Sequence, residues 1–107
     1  MNMTAIAFSE ENRKTYLAES INSLDAILND ALLGEDQNEI RSEFPPNCGR
    51  EDIRIENTRV GLMFLNEAEE AIIEVLIQIS FQENAIGEYK SIYNLNGELE
   101  DEFFTIE

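Results

Sequence analysis

The chain has 107 residues, 43% of them hydrophobic, with 23 acidic and 7 basic side chains for a formal net charge of −16. That length holds one hydrophobic core and not two, and the apolar fraction excludes a disordered tail. The charge repels nucleic acid and anionic membranes and favours basic partners. Because the chain has no histidine, imidazole catalysis and histidine-based metal sites are excluded.

In chain order, residues 4–8 suggest a short strand with Ile6 and Phe8 on one side. Ser9 is suited to cap a helix, and Glu10 and Glu11 then stand in the first turn, where negative charge favours the helix dipole. Leu17, Ile21, Leu24, Leu28 and Ala31 follow at helical spacing, joined by Ile27 and Leu32. They predict an amphipathic helix over residues 10–33, ended by Gly34 at its C′ position, with Glu19, Asn22, Ser23 and Asp30 mainly on the wet side. Residues 35–52 are polar and turn-rich, with Ile40-Arg41-Ser42-Glu43-Phe44 adding one helical turn before Pro45 and Pro46. Ile53-Arg54-Ile55-Glu56 and Val60-Gly61-Leu62-Met63-Phe64-Leu65 predict one bent strand or two short ones, and residues 66–70 form a linker.

From Ile73 to Phe81 the odd positions are all large and apolar, while Glu74, Gln78 and Ser80 fall between them, so this strand buries one face. Two further strand-like runs, 86–93 and 98–106, flank Asn94-Leu95-Asn96-Gly97, where Asn-Gly is a hairpin signal. A two-residue type I′ loop would set Tyr93 opposite Glu100 and Ile92 opposite Asp101. A type I turn centred on Leu95-Asn96, with Gly97 in the left-handed position of a G1 bulge, sets Tyr93 opposite Leu99, Tyr89 opposite Phe103, Ile86 opposite Ile106 and Lys90 opposite Glu102. The second register is preferred for its aromatic and opposite-charge pairs. The reading is thus one α+β domain over residues 1–107: an N-terminal amphipathic helix on one face of a roughly four-stranded antiparallel meander.

Catalytic and cofactor signatures are missing. Cys48 is the only cysteine, so no internal disulfide forms, which suits a reducing compartment, and as a nucleophile it would lack its usual base. The N-terminus has no basic region and too short an apolar stretch for a signal peptide, so a cytoplasmic protein is expected. No run approaches the ~20 apolar residues of a membrane span. Glycines at 34, 49, 61, 87 and 97 match neither dinucleotide nor phosphate-loop spacing. Placing Gly97 at the sixth position of a calcium loop puts Ile92 first and Phe103 twelfth, where ligands are needed. With so many acids, carboxylate pairs such as Glu69/Glu70 or Glu100/Glu102 arise by chance. No enzyme activity, cofactor or metal is expected, and basic patches interleaved with aromatics, which direct nucleic-acid binding requires, are missing as well.

The charge is uneven. Residues 1–33 carry 5 acids and 2 bases, residues 34–57 carry 7 and 3, and residues 58–107 carry 11 and 2. The bland explanation is solubility, together with acids on an outer strand that discourage edge-to-edge aggregation. The functional explanation is an inhibitor docking on a basic active site, drawn in by electrostatic steering. The segment from Gly87 to Phe104, with its tyrosine-rich strand, Asn-Gly turn and acidic closing strand, resembles endings of bacterial immunity proteins of contact-dependent growth-inhibition and polymorphic toxin systems. That resemblance covers about a fifth of the chain. It implies a cognate partner, the basic toxic domain of a secreted or surface-displayed effector, a nuclease and by preference an RNase. The alternative is an acidic nucleic-acid mimic, such as a phage-encoded inhibitor of a restriction or CRISPR enzyme, which should spread its acids at regular spacing over an elongated surface. Acids clustered beside Tyr89, Tyr93 and Phe104 favour immunity. The expected partner-binding residues are Glu67, Glu69, Glu70 and Glu74 together with Tyr89, Tyr93, Glu98, Glu100, Asp101 and Glu102 of the hairpin.

Overall fold

The computed structural model describes residues 8–33, 41–64 and 71–107. Among these residues, one helix, α1 (Glu10–Leu33), precedes four strands, β1 (Ile53–Phe64), β2 (Ala71–Phe81), β3 (Asn84–Tyr93) and β4 (Leu99–Ile106). They form one antiparallel sheet in the order β1-β2-β3-β4. This is the α+β meander expected, with β2 and β3 inside and β1 and β4 at the edges. Single 3₁₀ turns at Arg41–Glu43 and Arg50–Asp52 bracket the prolines. The strand suggested over residues 4–8, the Gly34 stop and the 66–70 linker lie outside the described residues, apart from Phe8, which stands in the turn before α1.

Ser9 caps α1, its side-chain oxygen accepting the Asn12 amide at 3.2 Å. Behind it the Arg13 guanidinium lies 5.0 Å from the centre of the Phe8 ring, fixing the entry of the chain. The helix buries Leu24, Leu28 and Ala31, and Leu17, Ile21, Ile27 and Leu32 pack around them. Tyr16 and Ser20, which the apolar spacing does not single out, are buried too. Tyr16 packs on Tyr93 with ring centres 4.8 Å apart. The Ser20 hydroxyl meets that of Ser91 at 2.6 Å, so two buried polar groups satisfy each other across the helix–sheet interface.

Against α1 the sheet sets Ile73, Val75, Ile77 and Ile79 of β2, all fully buried, with Tyr89 and Tyr93 of β3. Each edge strand keeps its apolar residues on this face by means of a bulge. In β1, Ile53 and Ile55 pair with Phe81 and Ile79, whereas Val60 and Leu62 pair with Val75 and Ile73. The register shifts between Glu56 and Arg59, where Asn57 has a φ of 50°. Two residues there oppose one, which switches the inward positions from odd to even. Of the two possibilities read from the sequence, one bent strand or two short ones, the structure has one strand with a parity change.

In β4 the same device corrects the expected register. The turn is as predicted: the Gly97 amide donates to the Asn94 carbonyl at 3.1 Å, Gly97 has a φ of 84°, and Tyr93 faces Leu99. Beyond it a second irregularity leaves Glu100 unpaired, so Ile92 faces Asp101, Lys90 faces Phe103, Tyr89 faces Phe104 and Gly87 faces Ile106. The pairs Tyr89–Phe103, Lys90–Glu102 and Ile86–Ile106 are not formed. The cause is the core: only this slip places both Phe104 and Ile106 on the helix face, where they pack against the buried cluster.

Gly87 makes the close approach possible. A Cβ there would lie 2.2 Å from the Thr105 carbonyl oxygen and 2.9 Å from the Ile106 side chain. Only glycine fits between these strands.

Candidate partner-binding surface

The acids expected to bind a partner do not form one patch. Glu67, Glu69 and Glu70 lie outside the described residues. Glu74 and Asp101 stand on the face of the sheet turned away from α1, flanking Ile92 from the two neighbouring strands. Glu102 lies on the helix side of β4, opposite Ser91. Glu98 and Glu100 are exposed, one closing the turn and the other at the bulge. The bulge thus divides an acidic run that reads as one patch in the sequence.

The tyrosines are corrected from surface-facing aromatics to core. Tyr89 is 0% exposed and Tyr93 is 3% exposed, because both stand on the inward parity of β3. Phe104 is half-buried beside them and packs on Phe44, with ring centres 6.3 Å apart. Tyr89 still reaches the edge through its hydroxyl, which donates to a Glu102 carboxylate oxygen. Burial, reinforced by the hydrogen bond and charge of Glu102, raises the Tyr89 phenol well above its ordinary range. Burial raises Tyr93 as well. A neutral Tyr89 therefore serves as a fixed donor that orients Glu102 at the rim.

The surface aromatic of the hairpin is instead Phe103, and Leu99 is the second apolar side chain the reading missed; each is 47% exposed. Phe103 turns to the open face, where the Lys90 ammonium lies 5.4 Å from its ring centre. Leu99 turns to the helix side between Glu98 and Glu100. The signal that separates them is the parity switch at Glu100, which depends on the final position of Phe104 and Ile106.

At the turn, Asn94 holds the backbone with its side-chain oxygen, accepting the amides of Asn96 at 2.9 Å and Glu98 at 3.1 Å. The start of the acidic strand is thereby fixed. Among the described residues, Glu98, Glu100, Asp101 and Glu102 form no ion pair; the pairs are Arg50–Asp25 at 2.6 Å and Lys14–Glu10 at 3.4 Å, both near α1. The edge therefore presents unneutralised acceptors in a fixed order around one apolar side chain. Among the described residues no three metal-ligating side chains gather, and no helix is long and apolar enough to cross a membrane.

No family model, no curated protein and no solved structure matches this chain.

Proposed function

We propose that the protein is a stoichiometric inhibitor of a basic protein domain, acting as an immunity protein that covers the active site of a cognate toxin, by preference an RNase. The observation that carries this reading is the β4 edge: Leu99 stands half out of the surface among Glu98, Glu100 and the Tyr89-held Glu102, and none of these acids is neutralised from within the described residues. An apolar anchor beside carboxylates, one of them held by Tyr89, suits a surface rich in lysine and arginine, where phosphates would otherwise bind. A preoriented acceptor loses less freedom on binding than a free one.

Nucleic-acid mimicry is the second reading, favoured by the elongated body, which measures 50 × 25 × 24 Å. Division of the acids between two faces weighs against a continuous phosphate-like track.

The experiment is co-expression with any effector C-terminal domain found encoded beside this gene, scored by growth and by binding kinetics. Protection and a one-to-one complex are expected. Raising salt from low to ~0.5 M should slow association far more than it speeds dissociation. Reversing Glu100 and Glu102 to Lys should weaken binding by about 2–5 kcal/mol if either meets a buried arginine or lysine, whereas reversing Glu10 and Glu11 should do much less. Loss of protection from the helix-start variant alone would move the docking surface to the other side. Absence of any toxin gene, or turnover abolished by a single carboxylate change, would refute the inhibitor reading.

A further inference from the structure

Among the described residues the sheet is covered on one face only, and the other face carries a chemistry unlike the rest of the chain. Reading across the strands, Arg59 of β1 pairs with Leu76, Leu76 with Lys90 and Lys90 with Phe103; in the next row Gly61 pairs with Glu74, Glu74 with Ile92 and Ile92 with Asp101. Met63, opposite Ile72, extends this surface and is 46% exposed. Two adjoining hollows of about 580 and 470 Å³ share Arg59 and Leu76. Met63, Ile72, Leu76, Ile92 and Phe103 thus form an apolar band with charges set into it.

The charges identify the occupant. By register and position, this face holds Arg54, Arg59 and Lys90 against Glu56, Glu74, Glu88, Asp101 and Glu107. The other four bases of the chain must offset eighteen acids. Three bases against five acids leave this face only slightly acidic, so a strongly basic partner would be drawn to the more acidic surfaces elsewhere. A second copy is the occupant that can offset the acids of this face with its own bases, Arg59 and Lys90 of each copy against Asp101 and Glu74 of the other.

We infer that the open face is a homodimer interface in which two sheets pack face to face. A two-fold axis parallel to the strands lays β1 over the second copy's β4 and β2 over its β3. Leu76 and Ile92 then close on each other's band, Arg59 comes within reach of the second copy's Asp101, and Lys90 within reach of its Glu74. Four strands ~4.8 Å apart and ~10 residues long at ~3.3 Å per residue offer roughly 600 Å² in plan. With side-chain relief this is comparable to the ~800 Å² per partner of a standard interface. The helix side of β4, with Leu99 and Glu102, stays uncovered, so the dimer and the proposed inhibitor edge are compatible, and neither rests on the other.

Arg59 and Asp101 provide the test, because they lie on opposite edge strands with β2 and β3 between them, roughly 14 Å apart within one copy. Any coupling between them is between copies. Sedimentation velocity of the full chain from ~1 to ~500 μM should show a reversible dimer. Arg59→Asp and Asp101→Arg should each weaken it at least tenfold, and the double variant should recover to within about threefold. Asp101→Arg is the sharper arm, since it lowers the overall repulsion between copies yet is expected to weaken the dimer. Phe103→Glu should weaken it as well, with far-UV circular dichroism confirming that each variant is folded. A chain that stays monomeric to ~500 μM, including one whose open face proves to be used by the toxin instead, overturns the inference. A dimer indifferent to all three single substitutions, or a double variant that does not recover, overturns it too.

Discussion

The two faces of the sheet are built from the same strands by alternation, yet they differ in kind. The face under α1 is dry: Ile73, Val75, Ile77, Ile79 and Tyr89 are each 0% exposed, and the serines among them bond to each other. On the open face Ile72, Leu76 and Ile92 are half-buried, and Met63 and Phe103 stand nearly half out. Neighbouring side chains in one strand therefore hold the fold on one side and offer a surface on the other. Apolar residues on the covered face carry stability, whereas those on the open face are free to serve contact with another molecule.

The largest expected effect contrasts adjacent residues across this divide. Ile77→Ala opens a cavity under α1, as Leu24→Ala does from the helix side, and either should cost about 2–5 kcal/mol. Leu76→Ala, one residue away but turned outward, should cost about 1 kcal/mol, since only part of its area leaves a packed environment. Urea denaturation under monomeric conditions ranks them. Equal losses at 76 and 77 would erase the distinction between the faces.

Gly87→Ala tests the covered face from its margin. The added methyl meets the Thr105 backbone, which cannot rotate aside, so β3 and β4 must separate. A cost of about 1–3 kcal/mol is expected. Hydrogen exchange should locate the loosening at the Gly87–Ile106 end rather than at the Asn94–Gly97 turn. An unchanged denaturation midpoint would mean that the strands lie farther apart than described.

Much of this division is legible in the sequence. The period of two in β2, the heptad-like stripe of α1, its Ser9 cap and the Gly97 turn are local signals, and each specifies its element without help from the rest of the chain. What the sequence concealed is non-local. Bulges at Asn57 and Glu100 change which residues face inward, and they are chosen by the burial of Val60, Leu62, Phe104 and Ile106 against partners distant in the chain. The bulge at Glu100 puts Phe103 on the open face while Leu99 stays on the helix side, whereas Tyr89 and Tyr93 are buried by a different pairing, opposite Ile77 and Ile73 of β2. Ser20 stayed hidden because its value lies in Ser91, 71 residues away.

The rim between the faces should respond to pH. Tyr89 keeps its proton in the fold above its ordinary pKa because burial and the adjacent Glu102 oppose a tyrosinate. A group with a raised folded pKa contributes fully below its unfolded pKa, about 10, and loses that contribution as pH rises toward the folded value. Stability should therefore fall above about pH 10, and less steeply in Tyr89→Phe. Near neutral pH that variant should lose about 1 kcal/mol for the missing hydrogen bond. A wild-type alkaline slope no steeper than that of the variant would place the titration on another group.

The smallest effect is expected at Phe103, and its smallness is informative. The ring packs beneath the Lys90 ammonium and is otherwise half in water, so Phe103→Ser removes a cation–π contact and a little apolar contact from one folded chain. Such exposed pairs contribute about 0.5–1 kcal/mol, and the denaturation midpoint measured well below the dimer range should shift by no more than that implies. At high concentration the same substitution should also lose the stability gained from association, which grows with concentration by mass action. The gap between the mutant and wild-type midpoints should therefore widen as the protein is concentrated. A gap above about 2 kcal/mol already present in dilute protein would make Phe103 part of the folded core, and the open face would then be a second structural face rather than a surface for contact.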